Sequence, residues 1–388
     1  MRLRIVLIVV FAVFWAFAGI GCPIEYPVVD IAPSHKVTGL KNPRNLSVIT
    51  IGSDDFLFVC DINSGIYKIP LTVANSGILA TDDKTTAIST LNGVELFEFK
   101  TAENEALYPV DFDVFDGYMF VVLRSLVQTD RYYLRKIDID AAYANSTDAK
   151  DFKFLDFPAS YVSVNENAVF ISGVSAKSAK AFLIDKADSY AFLDTTTDML
   201  KTIADPGRIL ASSDNWIYIT DKTTNLTKRG VRAIRFDTIK NCFDATDDYL
   251  MKPSNLFFSG MEFDSTGKLY GISANGLSTF NLATDNTTDT EFNKLSKASL
   301  KVDGDYTLNN IFVTGTKGYC TYGYGVLVID SINTASPVVG KNIVMGSRYD
   351  PVYSTVWVND TVIYNNGTKD FLISTSQRDG TLIITDPN

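Results

Sequence analysis

Residues 43–71 read PRNLSVITIGSDDFLFVCDINSGIYKIPL. Two apolar runs flank Gly52-Ser53-Asp54-Asp55, and Asn63-Ser64-Gly65 leads into a third. Alternation at period two marks a strand, and Gly and Asn supply the positive φ that tight turns between strands require. The stretch therefore reads as three short antiparallel strands.

The same sentence is written again along the chain. It returns as YPVDFDVFDGYMFVVLRS from Tyr108, FPASYVSVNENAVFISG from Phe157 and DPGRILASSDNWIYITD from Asp205. Later copies are SGMEFDSTGKLYGISANGLSTFNL from Ser259, NNIFVTGTKGYCTYGYGVLVID from Asn309 and DPVYSTVWVNDTVIYNNG from Asp350, continuing into DFLISTSQRDGTLIITD. Anchors on the second run fall at Phe58, Phe120, Phe170, Tyr218, Tyr270, Tyr319 and Tyr364, with Phe371 as an alternative last anchor. Successive anchors lie 45–62 residues apart, a period that suits one four-stranded sheet per repeat. No long amphipathic helical stripe interrupts them. The expected fold is all-β, a β-propeller of seven four-stranded blades; six or eight blades, or two stacked sandwiches, stay open on the sequence alone. The first gap is the longest, and Ser76–Thr90 is polar enough to be an insertion or exposed hairpin.

Radial closure gives the repeats a physical purpose. A lone antiparallel sheet exposes its edges and an apolar face, whereas neighbouring blades bury both. Propellers join their ends by pairing an N-terminal strand with the last blade, and the segment from Glu25 to Gly39 could supply that strand.

The chain has 388 residues, a net charge of −10 and 46% hydrophobic residues, which fits a folded, acidic protein. Nucleic-acid binding needs a basic face, and no Lys/Arg cluster provides one. Residues 1–22 read MRLRIVLIVVFAVFWAFAGIGC, with Arg2 and Arg4 before an apolar stretch and Ala16-Phe17-Ala18 as a small-x-small cleavage pattern. They are expected to be an export signal, a retained N-terminal anchor being the alternative. Gly21-Cys22 resembles the end of a lipobox, although Gly19 stands where that motif usually has Leu, so Cys22 is a candidate lipidation site and membrane tether. The expected organisation is residues 1–22 as signal, 23–36 as linker and closure strand, and 37–388 as propeller.

The first repeat resembles propeller repeats of the NHL, lactonase-like and surface-layer-associated kind. The matching residues are Leu40, Pro43, Leu46, Val48, Gly52, Phe58, Val59, Asp61, Gly65 and Ile66, and Pro109, Pro158, Pro206 and Pro351 recur before other repeats. Such propellers include enzymes and non-enzymatic binding proteins. Lactonase-like members hold a divalent metal in the central channel, so the resemblance implies calcium as the candidate cofactor, held by Asp, Glu or Asn oxygens.

No ligand set can be matched residue by residue. Asp61 and Asn63 loosely resemble the start of a calcium loop, but Ile66 and Thr72 stand where glycine and glutamate belong, so a structural turn is expected. The single histidine, His35, rules out a histidine cluster and lies outside the repeats. The pairs Asp54-Asp55, Asp82-Asp83 and Asp247-Asp248 read as solvated turns. Cys60, Cys242 and Cys320 lack metal spacing, and no essential disulfide is expected. Tyr319, Tyr322 and Tyr324 in TKGYCTYGYG are candidate binding residues for a sugar ring or peptide, with packed strand aromatics as the bland alternative. Arg124, Arg208, Arg229 and Arg378 fall near run ends, where propeller faces are built. Six N-x-S/T acceptors, Asn45, Asn145, Asn225, Asn286, Asn359 and Asn366, matter only where exposed. The functional expectation is a surface-held binding or scaffold module for a protein or glycan. A metal-dependent hydrolase or lactonase and a structural cell-envelope component are the alternatives.

Overall fold

The computed structural model describes residues 34–71, 91, 94–173, 178–193, 199–225, 229–251, 258–273, 276–280, 295–296, 308–346 and 356–387. The signal, Cys22, Ser76–Thr90, Asp82-Asp83, Asn286 and Pro351 lie outside them.

The described residues form seven sheets. After β1 (Ser34–Thr38), blade 1 contains β2 (Pro43–Ile51), β3 (Asp54–Asp61), β4 (Gly65–Pro70) and β5 (Glu95–Phe97). Blade 2 contains β6 (Phe99–Lys100), β7 (Ala106–Phe115), β8 (Tyr118–Ser125), β9 (Tyr132–Asp138) and β10 (Phe152–Leu155). Blade 3 runs through β11 (Tyr161–Val164), β12 (Ala168–Gly173), β13 (Ser178–Asp185), β14 (Ala191–Phe192) and β15 (Met199–Thr202). Blade 4 has β16 (Pro206–Ala211), β17 (Trp216–Asp221), β18 (Gly230–Asp237) and β19 (Cys242–Met251). Blade 5 has β20 (Phe258–Phe263), β21 (Leu269–Ser273), β22 (Gly276–Phe280) and β23 (Leu295–Ser296), and blade 6 has β24 (Leu308–Thr314), β25 (Lys317–Tyr322), β26 (Gly325–Asp330) and β27 (Val338–Val344). Blade 7 has β28 (Val358–Asn365), β29 (Asp370–Ser376) and β30 (Thr381–Thr385), and its outermost strand is β1. β1 pairs antiparallel with β30 from Ser34↔Thr385 to Thr38↔Thr381, so the chain's two ends close the ring.

Seven hydrophobic clusters match the seven blade interfaces. Phe58 and Cys60 pack toward blade 2, while Leu57 and Val59 on the same strand pack toward blade 7. Residues that alternate in a strand point to opposite faces, and here both faces are covered. That is why the second run of each repeat, such as FLFVC or YMFVVL, reads as continuous apolar text. The closing interface holds Val37, Leu46, Val59, Ile373 and Leu382 in one cluster.

The seventh repeat needs one correction of register. Counted from the inner-strand bulge, Phe58, Phe120, Tyr218, Tyr270 and Tyr319 occupy equivalent places on second strands and Phe170 lies on the second strand β12, but Tyr364 sits on the inner strand β28. The equivalent residue in blade 7 is Ile373, and Phe371 lies two residues earlier on β29. An aromatic anchor missed it because the site there is aliphatic.

Inner strands share a second device. Register shifts fall between Pro43 and Asn45, Pro109 and Asp111, Pro206 and Ile209, Phe258 and Gly260, Leu308 and Asn310, and Val358 and Thr361. A bulge frees one residue from the ladder and re-aims its neighbours. Proline tolerates such a place because it has no N–H to lose, which explains the recurring Pro43, Pro109 and Pro206. Hydroxyls on second strands then stitch one blade to the next: Thr375 donates to Arg44 O (3.3 Å), Ser172 to Gly207 O (2.5 Å) and Thr321 to Asn359 O (3.1 Å).

Candidate ligand pocket in the central channel

Two positions after the pre-bulge residue of six blades stand Asn45, Asp111, Arg208, Gly260, Asn310 and Asp360. All but Gly260 are polar, and they stand near the start of the inner strands. Two residues further on, Asp113 and Glu262 add a second level. Asn45, Asp111, Asp113, Arg208, Glu262 and Asp360 line a pocket of about 170 Å³, joined by hydrocarbon from Leu46, Val162 and Leu210 among others.

Three of the four carboxylates are already engaged in holding blades. Asp111 accepts from Asn45 Nδ2 in blade 1 and from Val162 N in blade 3 at 3.0 Å. Asp113 Oδ2 accepts from Val164 N (2.9 Å) and Ser163 Oγ (3.1 Å), and its Oδ1 from Val114 N (2.8 Å). Asp360 accepts from Leu46 N (3.1 Å), Asn310 Nδ2 (2.7 Å) and Thr361 N (2.9 Å), tying blades 6, 7 and 1. Glu262 differs. Its Oε1 accepts only the N–H of Phe263 at 3.2 Å, and Oε2 has no hydrogen bond among the described residues.

Arg208 stands among these acids without docking on any of them. Among the described residues its guanidinium has no side-chain hydrogen bond and no carboxylate oxygen within 4.0 Å. Desolvation works against its charge, but Asp360, Asp111 and Glu262 outweigh that and hold its pKa above the usual arginine value. Burial pushes Asp111 up to about 7 against the opposing pull of Arg208 and the Val162 N–H. Burial does the same to Glu262, also to about 7, with Arg208 again opposing. Asp113 and Asp360 are raised too, by burial first, with backbone N–H groups and Arg208 restraining the rise. A carboxylate taken out of water favours its neutral form, and one cation shared among four acids cannot fully offset this.

Among the described residues no group of three or more His, Cys, Asp or Glu side chains is arranged to hold a metal ion. The channel acids do face one pocket, but three of them are aimed at neighbouring backbone amides and an arginine sits between them. The donor set therefore does not fit the calcium that the lactonase resemblance implies.

The residues singled out from the sequence are dispersed. Tyr319, Tyr322 and Tyr324 are 3%, 2% and 8% exposed. Tyr322 donates to Asn342 Oδ1 at 2.7 Å, and Tyr324 meets Trp357 edge-on, so these rings belong to the blade 5–6 and 6–7 packing. The ring that reaches the surface beside them is that of half-buried Trp357, with the Arg378 guanidinium 4.3 Å over it. Asp61 accepts the backbone N–H groups of Lys41, Asn42 and Asn63, a turn clamp that leaves no calcium loop. Asp221 does the same for Asp205 and Thr223 in blade 4. Asp55 accepts from the Tyr364 hydroxyl, and Asp247 and Asp248 face Arg235 and Arg232 at 3.6 Å. His35 lies on the closing strand opposite Ile384. Cys60, Cys242 and Cys320 are free thiols, with Cys60 and Cys320 buried. Asn45 and Asn145, two of the acceptor asparagines, already donate from their side-chain amides, Asn45 to Asp111 and the exposed Asn145 to Lys100 O. Of the four arginines near run ends, Arg208 alone enters the channel pocket.

The acids Asp111, Asp113, Glu262 and Asp360 were missed in the sequence. The signal that could have found them is an acidic residue in an apolar strand, at the same distance from the bulge in several repeats.

No protein-family model matches the chain, and no curated protein matches it. Among solved structures, it is similar to the extracellular domain of a proposed hybrid two-component system of B. thetaiotaomicron, at 11% identity and a TM-score of 0.49. A second structure of that extracellular domain, described as a one-component system, gives 11% identity and a TM-score of 0.48. Both matches cover 92% of this chain and 40% of the other, so the chain spans less than half the length of those proteins. Nothing in these comparisons points specifically to the NHL or lactonase-like family, and that resemblance stands only at the level of the seven-bladed fold.

Proposed function

We propose that the protein is an exported binding module, tethered through lipid on Cys22, that recognises a protein or glycan partner with the channel pocket and the rim around it. The observation that supports this reading is the division of labour in the channel. Asp111, Asp113 and Asp360 hold the blades together, whereas Arg208 and Glu262 face the pocket with hydrogen-bonding capacity unused. Convergent polar groups with free capacity in a concave site are what recognition needs. A catalytic metal would need its oxygens turned inward. Backbone hydrogen exchange of the protein, with envelope polysaccharide and envelope protein fractions added separately, tests the reading. Slowed exchange confined to the pocket-lining strands with either fraction is the expected result. Hydrolysis of lactones that requires a divalent metal and is lost on Asp111→Asn would overturn it in favour of an enzyme.

A further inference from the structure

Resting on that binding reading, we propose that the pocket holds one neutral polyhydroxylated ring, such as the terminal pyranose of a glycan, with a vicinal hydroxyl pair bridging Arg208 and Glu262. The size of the pocket is the first constraint. At about 170 Å³ it falls below the roughly 300–1,000 Å³ of pockets that take drug-sized ligands, so it admits one small ring or one terminal residue of a chain.

Charge is the second constraint, and it acts in both directions. An anionic ligand drawn to Arg208 would come against Asp111 and Asp360, the acids that dominate the arginine's electrostatic surroundings. A simple cation drawn to the acids would come against Arg208. A neutral ligand avoids both conflicts.

Hydrogen-bond capacity is the third constraint. The guanidinium offers forked donors and no acceptor, and the Glu262 carboxylate in its ionised form, which prevails above about pH 7, offers acceptors and no donor. Each hydroxyl of a diol can do both, so one accepts from Arg208 while its neighbour donates to Glu262 Oε2. The hydrocarbon of Leu46, Val162 and Leu210 is left for the C–H face of a ring.

The test is calorimetric titration of the purified protein with methyl pyranosides of gluco, galacto and manno configuration. Glycine, tetramethylammonium and inorganic phosphate serve as the zwitterionic, cationic and anionic controls. At least one pyranoside should bind, and none of the controls. Glu262→Gln keeps the shape but loses the charged acceptor, and Arg208→Lys loses the fork; each should weaken binding about tenfold or more, as expected for a hydrogen bond to a charged group. Asp188→Ala, far from the channel in an exposed pair with Lys150, should bind as the unaltered protein does. Failure of all three pyranosides, binding unaffected by either channel variant, or preference for a control would overturn the proposal. If the pyranosides fail while an envelope protein fraction still protects the pocket strands, only the ligand class is wrong. If both fail, the binding reading falls with it.

Discussion

Asp360→Ala should destabilise the fold by more than its size suggests. Asp360 is 9% exposed, and its carboxylate accepts from Leu46 N of blade 1, Asn310 Nδ2 of blade 6 and the N–H of its neighbour Thr361. Removing it leaves the buried Leu46 amide and the Asn310 amide without acceptors at the two interfaces flanking ring closure. An orphaned buried donor costs about 1–3 kcal/mol, and two of them give about 2–6 kcal/mol. The loss is partly offset because the carboxylate itself resists burial, which raises its pKa. A net cost of about 3 kcal/mol is therefore expected. Urea unfolding followed by tryptophan fluorescence reads it as a lower midpoint. Asp360→Asn, which keeps one acceptor oxygen, should fall between. A midpoint for Asp360→Ala equal to that of the unaltered protein would refute the clamp.

Three further outcomes follow from the same geometry. Asp111 and Glu262 titrate near 7 in the folded state against about 3.9 and 4.3 in the unfolded chain, so the folded state binds more protons between these limits. Their contribution is fully present below about pH 4, is lost at up to about 1.4 kcal/mol per pH unit per group as pH rises, and is gone above about pH 7; unfolding midpoints measured across this window should fall less steeply in Glu262→Gln, and an identical slope would contradict the assignment. Val37→Asp places a charge on a fully buried side chain of the closing strand and should cost about 3–5 kcal/mol, detected as loss of the cooperative transition or a much lower urea midpoint. In Gly260→Ala the new Cβ would lie 2.7 Å from Asn310 Cα and 2.8 Å from its Oδ1, so the blade 5–6 contact must shift, at about 1–3 kcal/mol in the same assay.

The repeat was legible because it rests on local chemistry. Turns such as Gly52-Ser53 and Asn63-Ser64-Gly65, and second strands buried on both faces, leave a signal within twenty residues of text. Blade 7 was harder, because its equivalent of the aromatic anchors is Ile373 and its outer strand comes from the other end of the chain. The pocket was nearly illegible. Asp111 and Asp360 are 249 positions apart, and only ring closure gives both a place in the same pocket. Tyr319, Tyr322 and Tyr324 drew notice because aromatics beside glycines suggest a platform, yet an aromatic on a second strand is also what fills a blade interface. Arg208 was visible, but only as one of four arginines near run ends. Its isolation from the surrounding carboxylates is a property of three dimensions.

A crystal structure at a resolution that shows ordered water tests the central claim most directly. The account predicts seven blades closed by residues 34–38, with the Asp111, Asp113 and Asp360 carboxylates on the amides of neighbouring blades. Arg208 and Glu262 should face water or a bound ring in the pocket. An Arg208 guanidinium docked bidentate on Asp111 or Asp360, or three channel carboxylates converging on one metal ion, would contradict it.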